Sequence, residues 1–188
     1  SQSPRRAQLL RERGIEFEII PPVCEELDPA GWPGSPEEYA ESVSRLKAAH
    51  IAEAHPDQIV LAADTVVALD NRIFGKPVDR EDARRILTAL FGTRHRVVTG
   101  VTLCRLSSGR SWTGHDTTWV TMRPMSVDEL ESYLGGGQWR GKAGAYGIQD
   151  DGDPFVHLIE GSFSNVVGLP IDLVVEMLIP FGIQGSIS

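Results

Sequence analysis

The chain has little of what most often staples or marks a protein. Only two of its 188 residues are cysteine, Cys24 and Cys104, far apart and without metal-ligand spacing. That excludes a disulfide scaffold and fits a reduced, cytoplasmic protein. No apolar run nears the length of a bilayer span and no signal peptide is visible, so no membrane role is expected. Positive charge is also short: 18 Lys and Arg stand against 26 Asp and Glu, a net charge of −8. A general nucleic-acid binder needs a basic surface, so that class falls away. The Walker loop, the Gly-x-Gly-x-x-Gly turn, the paired histidines of a zinc site and the nucleophile elbow are all missing. His50, His55, His95, His115 and His157 are scattered, and read as structural or exposed. No internal repeat or low-complexity segment is present. With 41% hydrophobic and 23% charged residues, what remains is an ordinary globular chain. Residues 1–188 are read as one domain, in the form of two small lobes sharing a core.

An acidic protein that binds a polyphosphate must gather its few cations in one place or recruit a divalent metal. The first six residues, Ser1-Gln2-Ser3-Pro4-Arg5-Arg6, gather two. Ser3-Pro4 is a helix start, with serine as cap and proline in the first turn, where its missing N–H costs nothing. Structural starts then favour acids, because a helix N-terminus carries partial positive charge. Arginines there cost about 0.3–1 kcal/mol per charge at an exposed end. Two arginines, two hydroxyls and free N–H groups together suit a phosphate. A solvated basic turn is the bland alternative. Ser35-Pro36-Glu37-Glu38 is the natural control, with the same opening followed by acids.

The coarse element order is helical and extended by turns. Gly14 ends the first helix, and Phe17 to Ile20 reads as a short strand. Residues 21–34 are a Pro- and Gly-rich loop carrying Glu25 and Glu26. A capped helix follows to about His55, then an apolar run from Ile59 to Leu69, read as a buried strand or strand pair. A helix capped by Asp79 runs to Leu90, with Gly92 past its end. His95 to Leu106 and Ser111 to Met122 form a hairpin about Ser107-Ser108-Gly109. A helix opens at Ser126, a strand lies near Val156 to Ile159, and a last helix starts at about Pro170. The alternation predicts an α/β class with a mixed sheet.

Asp64 is the residue that stands out, because it interrupts the apolar run between Ala63 and Thr65. A buried, ionised carboxylate needs a partner, a metal or an opening cleft. The alternative is an Asp at a strand end capping a turn, but the run continues as Val66-Val67 with no turn signal. Lys76, between Gly75 and Pro77, and Lys47, beside Ala48 and Ala49, read on their own as solvated lysines. From Lys142 to Gln149 small residues would let a backbone approach a ligand closely, and Tyr146 and Gln149 add polar tips. Gly161-Ser162 and Asn165 to Pro170 share that character, or are tight packing turns.

Taken together, Ser1 to Arg6, Ala63-Asp64-Thr65, Gly75-Lys76-Pro77, Thr99-Gly100-Val101, Lys142 to Gln149 and Asn165 to Pro170 resemble the Maf family. These are nucleoside triphosphate pyrophosphatases, also called septum-formation inhibitors, and the motifs stand in family order over nearly the whole chain. The resemblance implies an α/β fold with an elongated mixed sheet flanked by helices. Two lobes would enclose a central cleft, as in the related inosine triphosphate pyrophosphatases. It implies hydrolysis at the α–β phosphate link with Mg²⁺, Mn²⁺ or another divalent cation, and a homodimer. By motif, Asp64, Lys76, Arg6 and Lys47 would be catalytic. Ser1, Ser3, Arg5, Arg6, Thr65, Lys142 and Gln149 would bind substrate, and Glu26 with Asp64 the metal. Glu25 is adjacent, so the register of Glu26 stays open. The Ala63-Asp64-Thr65 and Lys142-to-Gln149 forms resemble the dTTP/UTP branch. A 7-methyl-GTP or purine-analogue enzyme, or a non-catalytic nucleotide-binding regulator of septum formation, are the rivals.

Three departures stand out. Family members carry an apolar strand before the first serine, which this sequence does not include, and without it the sheet would lose a strand. The Lys47 region is shorter than usual. Acids follow Gln149, at Asp150, Asp151 and Asp153, where a glycine is common.

Overall fold

A computed structural model describes residues 3–24, 27–148 and 155–183. Helix α1 is Pro4–Glu12 and α2 is Pro36–Ala54. Strands β1, Val60–Leu69, and β2, Arg72–Phe74, precede α3, Arg80–Leu90. Strands β3, Arg94–Arg105, and β4, Arg110–Met122, follow, then α4, Val127–Gly136. The chain closes with β5, Val156–Glu160, α5, Phe163–Val167, and α6, Ile171–Leu178.

Local chemistry accounts for most of these boundaries. Ser35 and Ser126 each accept from the backbone N–H three residues on, and Glu38 and Glu129 return the bond to the cap residue's N–H. Asp79 caps α3 by accepting from Asp82 N. Gly109, at φ 65°, turns β3 into β4 at a conformation that costs an L-residue energy.

The five strands lie in the order β2-β1-β3-β4-β5. Among the described residues every pairing is antiparallel, where alternation had suggested a mixed sheet. The reason is β1. Strands β2 and β3 run in the same direction and are joined through α3, as a parallel crossover would be, but β1 lies between them, antiparallel to both. The α/β class and the long sheet flanked by helices are as expected. The strand expected at Phe17–Ile20 is not formed. A strand persists only with a ladder partner for its N–H and C=O groups, and among the described residues this segment has none. The short helix α5 stands where the sequence suggested only turns.

Side-chain alternation divides the packing. On one face α2 lies so close that a Cβ at Gly100 would sit 2.2 Å from the Ala40 carbonyl carbon. Buried Ala40, Val43, Ala48 and Ala52 pack there against Val66, Val98, Val60 and Ala62. On the other face Val67, Val97 and Val120 pack with Ile86, Leu87 and Leu90 of α3. Further along that face Ala63, Val101 and Leu103 pack with Val174 and Met177 of α6. Each fully buried large aliphatic contributes roughly 1.5–3 kcal/mol. β2 pairs with β1 only at residues 67–69, so from Val60 to Val66 one side of β1 has no strand beside it among the described residues. That open side is where the cleft forms. No described helix is long and apolar enough to cross a membrane.

Candidate active site

A cleft of about 970 Å³ runs along the open side of β1. Because successive strand residues point to opposite faces, Asp64 and Thr65 reach it from the two sides of the sheet. On the α2 side, Lys47 Nζ donates to Asp64 Oδ1 at 2.7 Å. Both side chains are largely buried, 12% and 15% exposed, so Lys47 is the partner that a carboxylate in an apolar strand requires. No other hydrogen bond to Asp64 is formed among the described residues.

On the other side, α1 presents its N-terminus. Ser3 is the cap residue, but its hydroxyl makes no cap bond to the helix, and the first turn holds no acid. Arg6 donates through Nε to Gly168 O at 2.6 Å, through one terminal nitrogen to Ala63 O at 2.8 Å, and through the other to Thr65 Oγ1 at 2.8 Å. It therefore ties α1, β1 and the turn after α5 together. Thr65 Oγ1 also lies 2.9 Å from Thr99 Oγ1. Asn165, fully buried, secures the same turn by donating to Val97 O, Asp116 O and Thr118 Oγ1.

Arg5 and Lys76 line the cleft too, and neither has a hydrogen bond or ion pair among the described residues. Lys76 is exposed. Lys142 is buried, and its Nζ lies so close to Gly147 that a Cβ there would approach it to 2.8 Å and displace the lysine tip. The segment from Lys142 carries two successive left-handed residues, Gly144 at φ 69° and Ala145 at φ 63°. For Ala145 that conformation costs roughly 1–2 kcal/mol. Next to it, the Tyr146 hydroxyl lies 2.8 Å from Nε2 of fully buried His95. Burial lowers the His95 pKa to about 4, so the ring is neutral near pH 7.

The structure thus brings Ser3, Arg5, Arg6, Lys47, Asp64, Thr65, Lys76 and Lys142 to one region. All eight line the cleft. Ser1, Glu26 and Gln149 lie outside the described residues. Sequence reasoning missed that Arg6 is bonded to backbone, that Asn165 is a three-acceptor hub, and that His95 meets Tyr146. Each depends on partners at least 47 residues away, which no local pattern signals.

For a metal, the described residues hold no group of three or more His, Cys, Asp or Glu side chains. Asp64 is the carboxylate of β1 in the cleft wall, and Glu16 and Glu18 line the same cleft without joining it in a metal-holding group. Mg²⁺ is ordinarily bound by one or two carboxylates completed by phosphate oxygens and water. The described residues therefore fit a cation that arrives with a polyphosphate, and among them there is no cage for one alone.

The family model described as Maf-like protein matches residues 1–181. A protein of Pelotomaculum thermopropionicum is 40% identical over 182 residues, covering 97% of this chain and 94% of its own. One of Carboxydothermus hydrogenoformans is 44% identical over 172 residues, 91% and 90% of the two chains. One of Cereibacter sphaeroides is 41% identical over 184 residues, 97% and 93%. Each of the three is named dTTP/UTP pyrophosphatase.

Proposed function

Because this chain belongs to the Maf-like protein family, we propose that it is a nucleoside triphosphate pyrophosphatase that converts dTTP and UTP to the monophosphate and pyrophosphate. The observation that carries the chemistry is the cleft itself. A carboxylate held by a lysine, Asp64 with Lys47, shares it with two cations that have no partner among the described residues, Arg5 and Lys76.

In this reading Arg5, Lys76 and the uncapped N–H groups of α1 take the phosphate oxygens. Attack on a polyphosphate requires mainly positioning and neutralisation of charge, which fixed cations supply without reorganising. Asp64 receives the proton of the attacking water, and Lys47 keeps that carboxylate oriented. Arg6, with three donors engaged by protein acceptors, holds the α1 end against Asp64 and Thr65. Thr65, Lys142 and Gln149 contact the remainder of the nucleotide, with Ser1 and Ser3 at its phosphates. Glu26 and Asp64 would hold the divalent cation, Mg²⁺ or Mn²⁺, which when bound supplies further neutralisation of the phosphate oxygens. The bond from water oxygen to the α-phosphorus forms as the bond to the bridging oxygen breaks, and pyrophosphate leaves.

The reading extends to a cytoplasmic homodimer, which light scattering at micromolar concentration would test. The test of the activity is pyrophosphate release from a panel of nucleoside triphosphates with Mg²⁺. dTTP and UTP should rank first. A leading 7-methyl-GTP would replace the substrate assignment, and no release from any of them would leave a binding regulator.

A further inference from the structure

Ala145 sits between the cleft-lining residues Ala143 and Tyr146, in a backbone conformation that an L-residue seldom adopts. It follows Gly144 directly in the left-handed region, and unlike glycine it carries a Cβ. Glycine is required at 144, where a Cβ would lie 2.6 Å from Val67 Cγ2. Nothing comparable requires φ 63° at Ala145 itself, and such a conformation persists only where its surroundings over-determine it. Four contacts do so. Ala145 N donates to Lys142 O at 3.1 Å, and Gly144 N donates to Gly75 O at 3.0 Å. Tyr133 donates its hydroxyl to Ala145 O at 3.3 Å. The Tyr146 hydroxyl meets His95 Nε2 at 2.8 Å, with the two rings edge to face, centroids 5.5 Å apart.

The last contact differs from the others. His95 belongs to β3, where it pairs with Val120 of β4, and it is fully buried and does not line the cleft. It is the buried polar side chain of the sheet that reaches the turn, and the chemistry proposed above leaves it without a role. The turn it reaches carries Lys142 on one side and, through the Gly144–Gly75 bond, abuts the residue preceding Lys76.

We propose that His95 is a positioning residue for the cleavage of dTTP and UTP: through the Tyr146 hydroxyl it holds the strained Gly144–Ala145 turn, and so sets where Lys142 and the Lys76 loop stand in the cleft. The proposal rests on the pyrophosphatase reading given above. Burial keeps the imidazole neutral, so the contact survives across the range where the enzyme would work. Because the strained turn shapes the place where the nucleotide sits, loosening it weakens binding before it slows chemistry.

Tyr146→Phe removes the hydroxyl and leaves the ring. KM for dTTP should rise about fivefold, the equivalent of one ordinary hydrogen bond, with kcat within about twofold. Amide hydrogen exchange in residues 142–148 should quicken in the same variant. Adding Ala145→Gly should recover most of the KM, because glycine adopts the left-handed conformation without being held. His95→Gln, which keeps a polar group near Nε2, should stay closer to the parent than His95→Leu. An unchanged KM, unchanged exchange in 142–148, or a loss that Ala145→Gly does not recover would each overturn the proposal. The hydrogen-exchange arm needs no turnover. If the parent protein cleaves no nucleotide, the pyrophosphatase reading fails alone, and exchange still decides whether His95 holds the turn.

Discussion

The cleft holds two kinds of cation. Lys47 and Arg6 are already engaged by the protein, Lys47 by Asp64 at 2.7 Å and Arg6 by two carbonyls and a hydroxyl. Arg5 and Lys76 line the same cleft, and among the described residues they have no such partner. The engaged pair shapes the site whether or not a ligand is present. The other pair is, in the proposed reading, the one that meets the phosphate charge. In the proposed reading geometry and affinity are therefore carried by different residues, although all four are basic side chains of one cleft.

The helix starts repeat the contrast. Ser3-Pro4 and Ser35-Pro36 open α1 and α2 alike. Ser35 is locked into a capping box with acids in the first turn, whereas α1 has neither a side-chain cap bond nor an acid there. One start is closed by its own side chains. The other is not closed by a cap side chain, and in the proposed reading its positive end faces the phosphates.

The comparison is most sharply challenged at Asp64. Asp64→Asn should lower kcat by at least about 100-fold, because it removes a proton acceptor and keeps the shape, and should lower the melting temperature without preventing folding, because the largely buried Lys47 loses its charge partner. Near-normal turnover would take Asp64 out of the chemistry and leave the Lys47 pair merely structural. Next comes Arg6→Lys, which keeps the charge and loses the fork. It should lower kcat/KM by roughly tenfold or more and also lower stability by about 1–3 kcal/mol in denaturant titrations, since buried acceptors lose their donor. An intact melting curve would show that Arg6 is not a geometric residue. Arg5→Ala and Lys76→Ala should behave differently, raising KM several-fold at low salt with stability unchanged within about 0.5 kcal/mol. Their effect should shrink as ionic strength rises, which stopped assays at two salt concentrations would read. The smallest effect on function belongs to Ser35→Ala. It should cost about 1 kcal/mol of stability and leave kcat/KM as it was. A loss of activity there would erase the distinction between the two helix starts.

Much of the fold was legible because its signals are local. The boxes at Ser35 and Ser126, the Asp79 cap and the Gly109 turn each rest on residues within one turn of one another. Asp64 was legible for a related reason, since a carboxylate in the middle of Ile59 to Leu69 conflicts with burial unless something answers it. The strand expected at Phe17–Ile20 failed because strand formation depends on a neighbour, not on composition. The antiparallel sheet escaped notice because the position of β1 between β2 and β3 is a matter of topology.

By itself, then, the sequence determined the capped helices, the long hairpin, the class of the fold and the identity of the acid that needs a partner. It also placed two arginines at a helix start where stability alone would have placed acids. Only the tertiary structure decided that Lys47 is the partner, that Arg6 turns inward to protein acceptors, and that His95 meets Tyr146 beside a strained turn. The physical reason is that caps, turns and periodicity act over a few residues, whereas side-chain hydrogen bonds to partners 17 to 162 residues away exist only after packing has brought them together.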